Sequence, residues 1–119
     1  MFDESRPIFQ QLAEWLEDGI LRGDFVEGAP VPSINELAAF HRINPATANR
    51  AVALLSDAGL LEKRRGLGMF VTVGARETLL RSRQQEFATH FVTPLLQEAG
   101  RIGLSRNDVI RLIEQENQA

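Results

Sequence analysis

The stretch Asn44 to Leu60, NPATANRAVALLSDAGL, carries the residue types that read DNA bases. Asparagine offers a paired donor and acceptor, arginine a bidentate fork, and an alanine methyl can touch a thymine methyl in the major groove. At about 100° per residue, Ala48, Ala51, Val52 and Leu55 fall on one apolar face of a helix, whereas Ala46, Arg50 and Ala53 point the opposite way with Thr47 and Asn49 on the flanks. A mixed polar face is equally what a solvated helix presents, so the flanking segments must decide. A second cluster lies just beyond, where Lys63, Arg64 and Arg65 lead into Gly66-Leu67-Gly68. Residues 60–65 and 69–73 read as two strands joined at glycines able to take positive φ. Such a basic hairpin could be a solvated edge that guards against aggregation. Beside a helix-turn-helix it reads better as a wing that contacts phosphates or reaches into the minor groove.

Local chemistry determines how these clusters are positioned. Asn44 can cap a helix and Pro45 suits its first position. Ser33-Ile34-Asn35-Glu36 is a capping-box pattern that opens a helix to about Phe40, burying Ile34, Leu37 and Ala38. His41-Arg42-Ile43 is then a tight connection, and two capped helices so joined make a helix-turn-helix whose second helix enters the groove. Residues 7–22 form a preceding helix, with Pro7 in its first turn and Ile8, Leu12, Trp15, Leu16 and Ile20 at helical spacing. Gly23 ends it, and within GDFVEGAPVP only Ala29 to Val31 suits a very short strand.

The chain of 119 residues has room for one modest core and an appendage. It has no Cys, which excludes disulfides and thiolate chemistry. His41 and His90 stand in no metal-ligand spacing with carboxylates, and no nucleophile-base set or phosphate loop is present, so neither a metal, a cofactor nor an enzymatic activity is expected. No apolar run approaches the roughly 20 residues that span a bilayer, and the start MFDESRPIF lacks a signal-peptide pattern; a cytoplasmic protein without membrane contact is expected. The net charge of -3 counts mildly against nucleic acid, but its distribution counts for it. From Arg42 to Arg65 the cations Arg42, Arg50, Lys63, Arg64 and Arg65 face only Asp57 and Glu62.

The run from PIFQQL through VPSINELA, NPATANRA and LLEKRRGLGMFV resembles the winged helix-turn-helix of GntR-type bacterial transcription regulators, over roughly the first 73 residues. Asn44-Pro45 ahead of Thr47 and Arg50-Ala51, then RRGLGMFV and a tail of under 50 residues, is most similar to the short YtrA subfamily. The resemblance implies DNA contacts from Ser33 and Asn35, from Asn44, Ala46, Thr47, Asn49 and Arg50, and from Arg64, Arg65, Gly66 and Gly68 of the wing. Lys63 and Arg42 add cations to that surface. Asn35 replaces an arginine common in relatives, which makes adenine or a water-mediated contact the better fit. Arg42 stands where the turn often has Gly; a left-handed backbone there costs about 1 kcal/mol.

A fold that is mainly α with a small β-hairpin wing follows: a winged helix-turn-helix at 1–73 and a two-helix dimerisation tail at 74–119. Leu80, Phe87, Phe91, Leu95 and Ala99 form one stripe, with a kink or break expected at Pro94. Gly100 and Gly103 mark a turn, and Ser105 with Asp108 gives a second capping box opening a helix that buries Val109, Leu112 and Ile113. An exposed stripe needs a partner, and a second copy is the economical one, with Leu80, Phe87, Phe91, Leu95, Leu112 and Ile113 at the homodimer interface. The alternative is a tail folded back on its own winged helix. The expected function is a homodimeric repressor bound to an inverted-repeat operator in double-stranded DNA. Its competitor is a winged helix that binds a protein partner through the acidic first helix instead of DNA. A small-molecule effector has room only between tail helices, and no converging polar set points to one.

Overall fold

Each helix begins and ends where local hydrogen bonding allows it. In the computed structural model, which describes residues 2–117, the elements are α1 (Ile8–Arg22), α2 (Ile34–His41), α3 (Pro45–Asp57), β1 (Leu61–Arg64), β2 (Gly68–Val71), α4 (Ala75–Phe87), α5 (Thr93–Arg101) and α6 (Arg106–Asn117), with a π-helical turn, Ala88–Val92, between α4 and α5. Pro7 precedes α1, and Gly23 ends it in a left-handed conformation with its N–H on Ile20 O. Ser33 and Glu36 form the full capping box of α2, Glu36 N donating to Ser33 Oγ at 3.1 Å and Ser33 N to Glu36 Oε1 at 2.8 Å. Asn44 Oδ1 accepts from Ala46 N at 2.8 Å and so starts α3.

The chain divides into two compact units, Met1–Arg81 and Ser82–Ala119. In the first, α3 packs on both α1 and α2 and on β1. Leu12, Leu16 and Ile20 of α1 meet Leu37, Ala48, Ala51, Val52 and Leu55 in one apolar core, all buried. The inward stripe of α3 is the one that helical spacing predicts, with Ala46 and Asn49 exposed on the opposite side. The unit runs on to Arg81, past residue 73 where the sequence motifs end, because Ala75 and Leu79 of α4 are buried in the same core. Glu27 fixes the start of α4: its carboxylate accepts from Gly74 N at 2.6 Å and Arg76 N at 3.3 Å, satisfying donors that a helix start leaves open.

The hairpin pairs Leu61 with Val71, Glu62 with Phe70, Lys63 with Met69 and Arg64 with Gly68. Gly66, at φ 76°, turns the chain while Leu67 N donates to Arg64 O at 2.9 Å. The short strand expected at 29–31 is reduced to one bridge, Pro30 to Phe70. Val31 N still reaches Met69 O and Val71 N reaches Ala29 O, but Ala29 N turns back to Val26 O and Gly28 N takes Val71 O in its place, so the ladder goes no further.

In the second unit the backbone does not break at Pro94. Phe87, Val92 and Thr93 all stay right-handed, and Thr93 N donates to Ala88 O across the wide turn. A π turn removes the clash between the proline ring and the carbonyl a turn earlier, and it is itself a recognised origin of helix bending. The Ser105–Asp108 capping box forms, Asp108 N donating to Ser105 Oγ at 3.1 Å and Ser105 N to Asp108 Oδ2 at 2.8 Å. One expectation fails here: α6 buries Val109 but leaves Leu112 at 48% and Ile113 at 49% exposure. Within its own unit α6 packs mainly against α5, and one neighbouring helix covers only part of its apolar stripe.

Candidate nucleic-acid interface

The surface of α3 opposite the core carries Ala46, Asn49 and Arg50, all exposed, with Thr47 half-exposed at its edge. Thr47 and Asn49 have no side-chain hydrogen-bond partner among the described residues, and Asn49 is open to solvent. The core stripe of α3 prevents rotation about its axis, so these side chains are held outward by packing they take no part in. Asn35 and Ser33, at the start of α2, are exposed as well.

The two capping residues differ in what they leave free. Asn44 Oδ1 is taken by the backbone of α3, which leaves its amide N–H donors, whereas Ser33 is committed to the capping box by its side chain as well as its backbone N–H. Amide donors of this kind suit phosphate oxygens. Hydrogen bonds from the Ser33 backbone N–H and then from its side chain hold the Glu36 carboxyl below its ordinary range.

Arg42 takes φ 57° and ψ 50°, the left-handed conformation. Ile43 N donates to Ala38 O at 3.0 Å and Arg42 N to Ala39 O at 3.4 Å, closing α2 in the manner of a Schellman motif. The conformation that glycine adopts readily is thus held here by an arginine, whose exposed side chain adds a cation at the turn. His41, one residue earlier, is buried and packed rather than turned to solvent. Its ring stacks on Phe2 at 5.0 Å and meets the edges of Trp15 at 4.5 Å and Phe40 at 4.8 Å. Burial lowers its pKa from the usual histidine value.

On the wing, Lys63, Arg65, Gly66 and Gly68 are exposed. Arg64 is half-buried, paired with Glu62 at 3.1 Å and lying with Cζ 4.1 Å from the centroid of the Phe70 ring. Arg50 is arranged the same way, Cζ lying 3.8 Å from the centroid of Phe9 on α1. Phe9 and Phe70 are therefore parts of this surface that the sequence does not signal, because each touches its arginine only across elements. Of the interface positions expected in the tail, Phe87, Phe91, Leu95, Leu112 and Ile113 are exposed, while Leu80 is half-buried. No group of acidic and histidine side chains that could hold a metal occurs among the described residues, and no helix is long and apolar enough to cross a membrane.

Residues 8–71 match the profile described as bacterial regulatory proteins, gntR family. The chain belongs to the GntR family. The match spans α1 to the end of the wing, the elements that build the surface above. Among curated relatives, this GntR chain is 24% identical over 113 residues to the uncharacterized HTH-type transcriptional regulator YhcF of Bacillus subtilis, covering 95% of this chain and 92% of the relative. It is 33% identical over 76 residues to the HTH-type transcriptional repressor YtrA of the same organism, covering 64% of this chain and 58% of YtrA. The solved structure of a GntR family transcriptional regulator from Listeria monocytogenes shares the fold, with TM-score 0.79 at 24% identity over 96% of this chain and 98% of that one. The resemblance to the YtrA-like regulators is borne out, and the GntR chain carries their DNA-binding winged helix-turn-helix.

Proposed function

We propose that this chain is a cytoplasmic, homodimeric repressor that binds an inverted-repeat operator in double-stranded DNA. The observation that carries the reading is the two-sidedness of α3: Ala48, Ala51, Val52 and Leu55 lock it into the core, while Ala46, Asn49 and Arg50 stand exposed opposite. In this reading Thr47, Asn49 and Arg50 meet base edges with Ala46 against a thymine methyl. Ser33, Asn44, Arg42, Lys63, Arg64 and Arg65 bind phosphates, with Gly66 and Gly68 permitting close approach of the wing. Asn35 takes an adenine or a bridging water. The relative YtrA, a named repressor, supports repression. Dimerisation through the tail is supported by Phe91, 65% exposed, and by the exposure of Phe87, Leu95, Leu112 and Ile113. Paired α3 helices would then read half-sites about one helical turn apart.

The test is a mobility shift with DNA from upstream of the gene at about 50 and 200 mM salt, with light scattering on the same sample. A dimer binding one inverted repeat tightly, with affinity falling steeply in salt, is the expected result. Replacing both Arg64 and Arg65 by Ala should flatten the salt slope by up to about two phosphate contacts; an unchanged slope would remove the wing from the interface. A stable dimer with no affinity for DNA would point instead to a protein partner for the acidic side of α1.

A further inference from the structure

Arg50, exposed on α3, places its guanidinium over a ring that belongs to another helix. Its Cζ stands 3.8 Å from the centroid of Phe9, in the first turn of α1. Phe9 is half-buried and packed against the core, so the ring does not move with the arginine. The wing repeats the arrangement with Arg64 on Phe70, where the cross-strand partner of Arg64 is Gly68, which has no side chain to displace the guanidinium from the ring.

A cation–π contact uses the face of the guanidinium, while its five N–H donors lie in the plane, around the edge. Stacked on Phe9, Arg50 keeps its fork free for a guanine or a phosphate but has already given up the rotamer freedom that binding would otherwise take. We propose that Phe9 is a positioning residue for DNA recognition: it orders the Arg50 guanidinium ahead of binding, so that α1, outside the helix-turn-helix pair, sets part of the sequence selectivity. The proposal rests on the reading that Arg50 meets DNA, and the experiment separates the two.

The experiment is a double-mutant cycle on the full chain, with Phe9→Leu, Arg50→Ala and both together, and Phe9→Tyr as the conservative variant. Affinity is measured by anisotropy for the tightest duplex recovered from a random pool with the wild-type protein, and for a scrambled duplex. In the free protein, the chemical shifts of the Arg50 δ protons report the stacking. Phe9→Leu should weaken the selected duplex by roughly three- to tenfold, the size expected for leaving one long side chain to be ordered on binding, and should affect the scrambled duplex far less. Phe9→Tyr should restore binding, and Phe9→Leu should add nothing once Arg50 is Ala. The Arg50 δ protons should lose their ring-current shift in Phe9→Leu. An equal loss in the Arg50→Ala background, or unmoved δ-proton shifts, would overturn the positioning role while leaving Arg50 as a contact. If Arg50→Ala changes neither affinity, the contact reading falls and the positioning role with it. Should Phe9→Leu not fold, Phe9→Met carries the same test.

Discussion

Arg42 is where a contact with DNA, as proposed, would work against stability. Its left-handed backbone is set by the closure of α2, with Ile43 N on Ala38 O, and a side chain with a Cβ pays for that conformation where glycine does not. Replacing it by glycine should raise the unfolding midpoint in urea by the equivalent of up to about 1 kcal/mol. The same change removes an exposed cation from the turn, so DNA affinity should fall and its salt slope should lessen by about one contact. If stability rises and DNA binding is untouched, Arg42 is only a strained turn residue. The glycine departure is visible in the sequence; the left-handed φ is confirmed only once the carbonyls of α2 are seen to need closing.

At the scale of elements, α2 is tied to α1 and the segment before it by a titratable ring. His41 is its last residue, enclosed by Phe2, Trp15 and Phe40, and burial holds its pKa down. The unfolded chain takes up a proton near pH 6.5, whereas the folded unit resists it. Stability contributed by the neutral ring is therefore complete above that pH and declines as pH drops from about 7 toward 5. Chemical denaturation at pH 7 and pH 5 should show the wild type losing stability, and His41→Gln should lose less over the same interval. A wild type as stable at pH 5 as at pH 7 would rule this out. Glu36 acts in a lower window: hydrogen bonds from Ser33 lower its pKa, so its contribution holds above the ordinary carboxylate range and is lost as pH falls through its folded value. The capping box is legible because its partners lie three residues apart. The aromatic enclosure of His41 draws on the segment before α1, on α1 and on α2, and no spacing announces it.

For the whole molecule, the open question is what covers the second unit. Phe87 and Phe91 meet at a tilt, ring centroids 5.6 Å apart, yet remain largely exposed, and Leu112 and Ile113 are half in solvent. If these surfaces meet in a second copy, Phe87→Ser with Phe91→Ser should give a monomer by light scattering while the first unit keeps its cooperative thermal transition. That monomer should bind a single half-site weakly and lose its preference for an inverted repeat. A double variant that stays dimeric would place the interface elsewhere.

Composition and spacing determined most of the architecture. The apolar period of α1 and α3, the Ser33 and Asn44 caps and the glycine-tipped basic hairpin are all local, and a local hydrogen bond or a 3.6-residue period leaves its mark within a few residues. The winged helix-turn-helix and the exposed identity of Asn49, Arg50 and Lys63 followed from these alone. Tertiary structure decided what depends on parts distant in sequence. It carried the first unit on to Arg81 through Ala75 and Leu79, resolved Pro94 with a wide turn, left Leu112 and Ile113 half-exposed, and laid Arg50 on Phe9 and Arg64 on Phe70. Burial and ring contacts are properties of which surfaces meet, and a chain read in one dimension does not state which of its surfaces will.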